Sequence, residues 1–469
     1  MPLFAPDNPR PLHFMGVAGA GMSALALLAR KRGVAVTGCD NKPEAAGALE
    51  AVEDVRRAGG VVFAGHSPDH LEQARALVVS SAVPKDHPEV ERAHALGIPV
   101  VRRAEALAEA VSTGMLVAIA GTHGKTTTTA MTTEALAAAG LNPTGIVGGR
   151  IGSWGGNALM GGVDIFVVEA DEYDKSFLAL KPEVAVINNV EPDHLECYNS
   201  SVDSLETAFA EFAGPARTVI VGGDDPGALR VAKALGRTVW RIGFSDAAEV
   251  RISRLVQNSV GSSAIVHLPD GRPVDLRLSV PGVHNVRNAA AALAVAVELG
   301  ADRGKVLESL AGFGGVGRRF DVVGGFGDIV VVDDYAHHPS EITATVEAAR
   351  QAYPSRRLVA VFQPHLFTRT QAMGVAMGAA LREVDVAVIA DVYPARESPI
   401  PGVTGRLVAN AAEGGRAEVH WLPARKELVG RLAGLVEAGD LVLTMGAGDV
   451  TAVGPELLEV LRRREAVPA

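Results

Sequence analysis

Met115-Leu116-Val117-Ala118-Ile119-Ala120-Gly121-Thr122-His123-Gly124-Lys125-Thr126-Thr127 decides the reading of this chain. An apolar strand, Met115–Ala120, runs into a glycine turn and then into a helix that Gly140 terminates. Glycines in such a turn let backbone N–H groups wrap phosphate oxygens. Lys125 places a positive charge at β- and γ-phosphates, and the Thr126 hydroxyl suits magnesium. The general phosphate loop has a glycine where Ile119 stands, so this spacing is a variant of it.

Outward from this loop, strand-like and helix-like stretches alternate, the pattern of parallel sheets covered by helices, and the fold class is α/β. Downstream, strands are expected at 165–168, 184–187 and 218–221, then a polar alternating stretch over 250–278. An Ala-rich helix reaches Leu299, and the glycines of 312–317 read as a linker. Upstream, strand 12–16, a glycine turn, helix 22–32 and strand 34–39 ending at Asp40 make a βαβ unit. Strands at 61–64, 76–80 and 99–101 extend it. The last third repeats the theme: strands at 329–332, 358–362, 386–389 and 441–443, with helices from Ser340 and Arg369. The expectation is three domains: residues 1–114, Rossmann-like; 115–314, a phosphate-loop ATPase type with a mostly parallel sheet; and 315–469, again Rossmann-like.

Composition narrows the function classes. The chain has 469 residues, 48% hydrophobic and 21% charged, with a net charge of −10. No long basic run is present to track a phosphate backbone, so nucleic acid is not an expected partner. Cys39 and Cys197 have no paired spacing, which supports neither a disulfide framework nor a cysteine zinc site and fits a reducing cytoplasm. The first residues, MPLFAPDNPRPLHF, lack the apolar core of a signal peptide. No apolar run of about 18 residues suggests a membrane span.

Other polar residues gather where strands end, the side on which open α/β sheets bind ligands. Glu169 closes one strand and His194 follows another. Glu169 suits magnesium, whereas a histidine ligand is unusual for that ion. His284, Asn285 and Asn288 open the Ala-rich helix, where residues three apart share a face and amides can read a base edge. Gly16, Gly19 and Gly21, with Asp40 downstream, superficially suggest a dinucleotide fingerprint, but their spacing is GxxGxG rather than GxGxxG. A diphosphate site is compatible with that turn and a nicotinamide cofactor does not follow. Residues 333–339 and 364–369 are polar clusters, and the spacing of His337, His338 and His365 lacks a clear three-ligand zinc pattern.

Together these blocks resemble the Mur ligases in order and over nearly the whole chain: GVAGAGMSALA (16–26), GTHGKTTTT (121–129), EADEYD (169–174), NNVEPDH (188–194), HNVRN (284–288), GRRFD (317–321), DDYAHHP (333–339), FQPHLFTRT (362–370) and GAGD (446–449). Within that family they look most like the members that join L-alanine to UDP-N-acetylmuramic acid through an acyl phosphate, in peptidoglycan synthesis. The resemblance implies a UDP-binding first domain using Gly16, Gly19, Gly21, Met22, Ser23, Asp40, His66, Ser80 and Ser81. It implies ATP at Gly121, Thr122, His123, Gly124, Lys125, Thr126 and Thr127, with His284, Asn285, Asn288, Arg319 and Asp334 completing the nucleotide site. Magnesium, or manganese in its place, would sit at Thr126, Glu169 and His194. Lys125, Glu169, His194 and Arg319 would carry the chemistry, and Tyr335, His337, His365 and Arg369 would receive L-alanine. The partners implied are the UDP-sugar, the amino acid and at most a second copy of the chain, with no membrane. Rival readings are a recycling ligase that attaches a tripeptide to the same sugar, a folate polyglutamylating ligase, and a nucleotide sensor without catalysis.

Overall fold

The computed structural model describes residues 2–41, 48–258, 261–395 and 397–465. It is a three-domain α/β structure built on mostly parallel sheets. By contacts the chain divides into two compact units. One comprises 1–254, 264–276 and 287–312; the other comprises 255–263, 277–286 and 313–469. Among the described residues no helix is long and apolar enough to cross a membrane.

The first sheet contains β1 (Leu12–Met15), β2 (Val36–Asp40), β3 (Val61–Ala64), β4 (Ala76–Val79) and β5 (Val100–Arg102), in the order β3-β2-β1-β4-β5. All its pairings are parallel. β1 and β4 are buried along their whole length, as expected of strands covered by helices on both faces. Gly16 then takes φ 73°, a left-handed turn that suits glycine, and the helix Ala20–Lys31 follows.

The second sheet has ten strands: β6 (Met115–Ala120), β7 (Thr144–Ile151), β8 (Gly156–Leu159), β9 (Ile165–Glu169), β10 (Val184–Ile187), β11 (Thr218–Gly222), β12 (Trp240–Gly243), β13 (Val250–Asn258), β14 (Gly261–His267) and β15 (Pro273–Leu278). Their order is β15-β14-β13-β12-β11-β10-β6-β9-β7-β8. β6 lies between β9 and β10, with Ile119 opposite Glu169 and Ala120 opposite Ile187. The carboxyl ends of these three strands therefore deliver Gly121, Glu169 and Asn188 to one rim.

The third sheet, β16 (Asp321–Phe326), β17 (Ile329–Asp334), β18 (Arg357–Phe362), β19 (Val386–Ile389), β20 (Glu418–Trp421) and β21 (Asp440–Met445), runs β16-β17-β21-β18-β19-β20. Only the edge strand β16 is antiparallel to its neighbour.

Several boundaries differ from the sequence reading. Helices begin earlier than expected, at Ala20, Pro339 and Phe367, because Gly19, His338 and Leu366 occupy the N-cap positions. The strand expected over 34–39 is Val36–Asp40, since Gly33 ends the preceding turn with φ 79°. The polar stretch 250–278 resolves into β13, β14 and β15. The hairpin β7–β8 and the strands β12, β16 and β20 had no counterpart in the sequence reading. Glycine interrupts β7 and β16, while β12 and β20 are short and only partly buried.

Candidate active site

The glycine loop is shaped by its neighbours as well as by its glycines. Gly121 has φ 134° and Gly124 φ 78°, and Gly124 caps the helix Lys125–Ala138. A Cβ on Gly124 would stand 2.7 Å from Asn288 Oδ1 and 3.1 Å from Asn188 Nδ2. The loop is clamped from the strand β10 side. His123 N donates to Asn189 Oδ1 at 2.7 Å, and Asn188 Nδ2 donates to Thr128 Oγ1 at 3.0 Å. Glu191 N donates to Thr122 Oγ1 at 2.8 Å.

The two polar side chains at the helix start are each held by a carboxylate. Thr126 Oγ1 donates to Glu169, 2.9 and 3.0 Å from its two oxygens, and Gly148 N also donates to that carboxylate at 2.6 Å. This oxygen-rich pair suits a hard divalent cation. Lys125 Nζ donates to Gly121 O at 2.7 Å and lies 2.8 Å from Glu172 Oε2. Burial works against its charge, yet Glu172, Asp171 and Glu169 outweigh burial and hold the ammonium above the usual lysine range. Tyr198, fully buried, donates its hydroxyl to Glu172 O at 2.5 Å. Glu172, Asn188 and Asn189 were missed as individual residues, although they lie in the two blocks that stood out.

His194 takes φ 53° after β10, with Nε2 3.7 Å from Asp193 and Nδ1 3.5 Å from Glu196. Its ring meets the edge of Tyr173 at 5.0 Å. Thr127 is buried in the helix. Asn288 reaches the loop, whereas Asn285 Nδ2 donates to Pro281 O at 2.7 Å, across the first turn of its own helix, and His284 packs on Gly282.

In the first domain, Gly16 N donates to Cys39 O at 2.8 Å and Ala18 N to Asp40 Oδ2 at 3.2 Å, joining the turn to the end of β2. Gly21 leaves room for Arg103, whose Nη1 would stand 2.5 Å from a Cβ there. Met22 and Ser23 are buried. Ser23 Oγ donates to Ala20 O at 3.0 Å and accepts from Asn157 Nδ2 at 3.0 Å. Ser80 and Ser81 follow β4, and His66 follows β3. Arg103 and Asn157 carried no local signal.

In the third domain Asp334 accepts from Phe320 N and Ala336 N, both at 2.8 Å. Burial pushes its carboxyl up to about 6, despite Arg319. Arg319 Nη1 donates to Glu341 Oε1 at 3.2 Å, and its guanidinium lies 5.2 Å over the Tyr335 ring. The four residues expected at the amino acid form one chain of contacts. Tyr335 and His337 rings are 5.3 Å apart, His337 and His365 are 6.0 Å apart, and Arg369 Nη1 is 3.5 Å from His365 Nδ1. Tyr393 stacks on His365 at 5.9 Å and was not anticipated. Arg369 is only 8% exposed, so it is no ordinary surface arginine.

Residues 11–114 match the Mur ligase family catalytic domain, 119–296 the Mur ligase middle domain and 318–448 the Mur ligase glutamate ligase domain. The chain belongs to the Mur ligase family. This Mur ligase is 46% identical over 462 residues to the UDP-N-acetylmuramate–L-alanine ligase of Kineococcus radiotolerans, covering 97% of the chain and 96% of that relative. It is 43% identical over 457 residues to the enzyme of the same name from Streptomyces griseus, covering 96% and 97%. Among solved structures, the UDP-N-acetylmuramate–alanine ligase of Thermotoga maritima superposes with a TM-score of 0.80 at 28% identity, covering 98% of this chain and all of that one. Ligase chemistry in peptidoglycan precursor synthesis follows from these relationships.

Proposed function

We propose that this Mur ligase joins L-alanine to the lactyl carboxylate of UDP-N-acetylmuramic acid, with ATP converted to ADP and phosphate, in the cytoplasm. The observation that carries the reading is the loop in which Lys125 and Thr126, side by side at a helix start, are each held by a carboxylate from the neighbouring strand end. Residues 1–114 bind the UDP-sugar, 115–314 bind ATP, and 315–469 supply the amino-acid residues and part of the nucleotide site.

A carboxylate resists attack by an amine because it is anionic and resonance-stabilised. Its oxygen therefore first attacks the γ-phosphorus of ATP; the bond to the bridging oxygen breaks and ADP leaves with the electron pair. The unprotonated amine of alanine adds to the acyl carbon of the resulting acyl phosphate. Collapse expels inorganic phosphate, and the amide nitrogen loses its proton.

Two anions meet in the first step, and Lys125 with the N–H groups of Gly124 to Thr127 at the helix start offsets their repulsion. Glu172 holds the ammonium aligned beforehand. Thr126 and Glu169, with His194 farther along the rim, are the residues that would hold magnesium or manganese, and such an ion supplies charge neutralisation at phosphate oxygens when bound. Asn288, with His284 and Asn285 near the helix start, serves the nucleotide, as do Arg319 and Asp334. The main-chain N–H groups of Ala20 and Gly21, at the start of the helix that the Gly16–Gly19 turn presents, take the diphosphate, with Asp40, His66, Ser80 and Ser81 around the rest of the UDP-sugar. Arg369 takes the alanine carboxylate, with Tyr335, His337 and His365 around it.

Phosphate release with ATP and magnesium tests this by omission. Turnover should require both UDP-N-acetylmuramate and L-alanine. Equal turnover with L-Ala-γ-D-Glu-diaminopimelate in place of alanine would make the protein the recycling ligase instead.

A further inference from the structure

We propose that the first domain holds a divalent ion of the zinc class between His13, Cys39, His70 and Glu89. The four come from separate elements: β1, β2, the turn Pro68–Leu71 and the first turn of helix Pro88–Ala95. Their ligand atoms all lie within 4.8 Å of one another. His13 Nε2 is 3.4 Å from Cys39 Sγ, Cys39 Sγ is 3.4 Å from Glu89 Oε1, and His70 Nδ1 is 3.5 Å from the same oxygen. A tetrahedral zinc with ordinary bonds to sulfur, nitrogen and oxygen has ligand-to-ligand edges of about 3.3–3.6 Å. These three spacings match such edges, and the other pairs lie within 4.8 Å.

The chemistry of the cluster also calls for a cation. Glu89 is fully buried, and its contacts are the weak thiol donor of Cys39, Ser67 N, and the rings of His66 and His70. A buried carboxylate is costly unless its charge is compensated. With the ion bound, a Cys39 thiolate and the Glu89 carboxylate would together carry two negative charges, which a divalent ion cancels. His70 Nδ1 is buried without a hydrogen-bond partner among the described residues, although it points at this group. His13 Nδ1 is engaged by Thr37 Oγ1 at 2.9 Å, and Ser67 N donates to Glu89 at 2.8 Å, the kind of outer support that orients metal ligands. Mixed sulfur, imidazole and carboxylate donors select zinc, or cobalt in its place, over magnesium.

Four protein ligands leave no open position, so the ion is structural. It ties β1 and β2 to the two elements that pack beyond them. Because Cys39 O accepts from Gly16 N, the ion also steadies the turn assigned to the UDP-sugar.

Cobalt(II) alone is the probe. The full chain, stripped with a chelator and titrated, should take up one equivalent and develop a thiolate-to-cobalt charge-transfer band with the intense visible bands of tetrahedral cobalt, both erased by zinc. Cys39→Ser should abolish the charge-transfer band and Cys197→Ser should leave it. Should Cys39→Ser not fold, His70→Gln decides, with cobalt affinity weakened at least about tenfold. A wild-type chain without the band, a band that survives Cys39→Ser, or unchanged affinity in His70→Gln overturns the proposal. None of these readouts depends on ligase activity.

Discussion

Lys125 and Glu172 hold in place, as a nearly buried pair, the charge proposed to act on the phosphates, and each compensates the other. Lys125→Ala should therefore harm stability as well as rate. Breaking a buried pair costs about 3–5 kcal/mol, and losing the charge at the phosphates costs a factor on the order of 10² to 10³ in kcat. The combined variant Lys125→Ala/Glu172→Gln should regain much of the melting temperature and none of the rate; recovered activity would remove Lys125 from the chemistry. Asp334 makes a separate prediction in pH. Its carboxyl is held up at about 6 by burial, against an ordinary value of 3.8, so the folded chain keeps a proton that the unfolded chain releases. The stabilisation is complete below the unfolded value and is lost as pH rises to the folded one, a change on the order of 3 kcal/mol. Melting curves of wild type and Asp334→Asn between pH 4 and 7 should shift in the variant's relative favour up to about pH 6 and then run parallel. A constant difference would mean that Asp334 titrates normally.

Gly124 fixes the start of the helix Lys125–Ala138, and with it the direction in which Lys125 and Thr126 point. An alanine there meets both a left-handed φ of 78° and the amides of Asn188 and Asn288. Gly124→Ala should cost about 1–3 kcal/mol of stability. It should weaken ATP binding more than binding of the UDP-sugar, which isothermal titration with each ligand separates. Equal losses for both ligands would point to a global defect. The position was visible in the residue string, but the clamp was not: Asn188 and Asn189 are brought to the loop only because β10 lies beside β6.

Across the larger compact unit, Asn157 links the hairpin β7–β8 to the helix Ala20–Lys31 through Ser23. One side of this bond belongs to the sheet proposed to bind ATP and the other to the helix that follows the turn proposed for the UDP-sugar. Asn157→Ala leaves a buried hydroxyl without that donor and should destabilise the chain by about 1–3 kcal/mol. Steady-state kinetics should show a raised KM for UDP-N-acetylmuramate with the KM for ATP nearly unchanged. An effect on ATP alone would sever the proposed link.

The amino-acid string determined the order of the domains, the α/β class and the phosphate loop, because these depend on local regularities: apolar runs of strand length, glycine turns and a lysine beside a threonine. It also placed Glu169, which closes its strand, and it drew attention to Tyr335, His337, His365 and Arg369, which the fold joins in one line of contacts. The hairpin β7–β8 and the edge strand β16 were not legible, since glycine-rich strands carry no periodic apolar signal and owe their pairing to a neighbour. Glu172, Asn157, Arg103 and the grouping of His13, Cys39, His70 and Glu89 were decided by tertiary structure alone. Their partners lie far away in the chain, and only parallel strand order, which brings distant carboxyl ends to one rim, makes a carboxylate, an amide or a thiol part of a site.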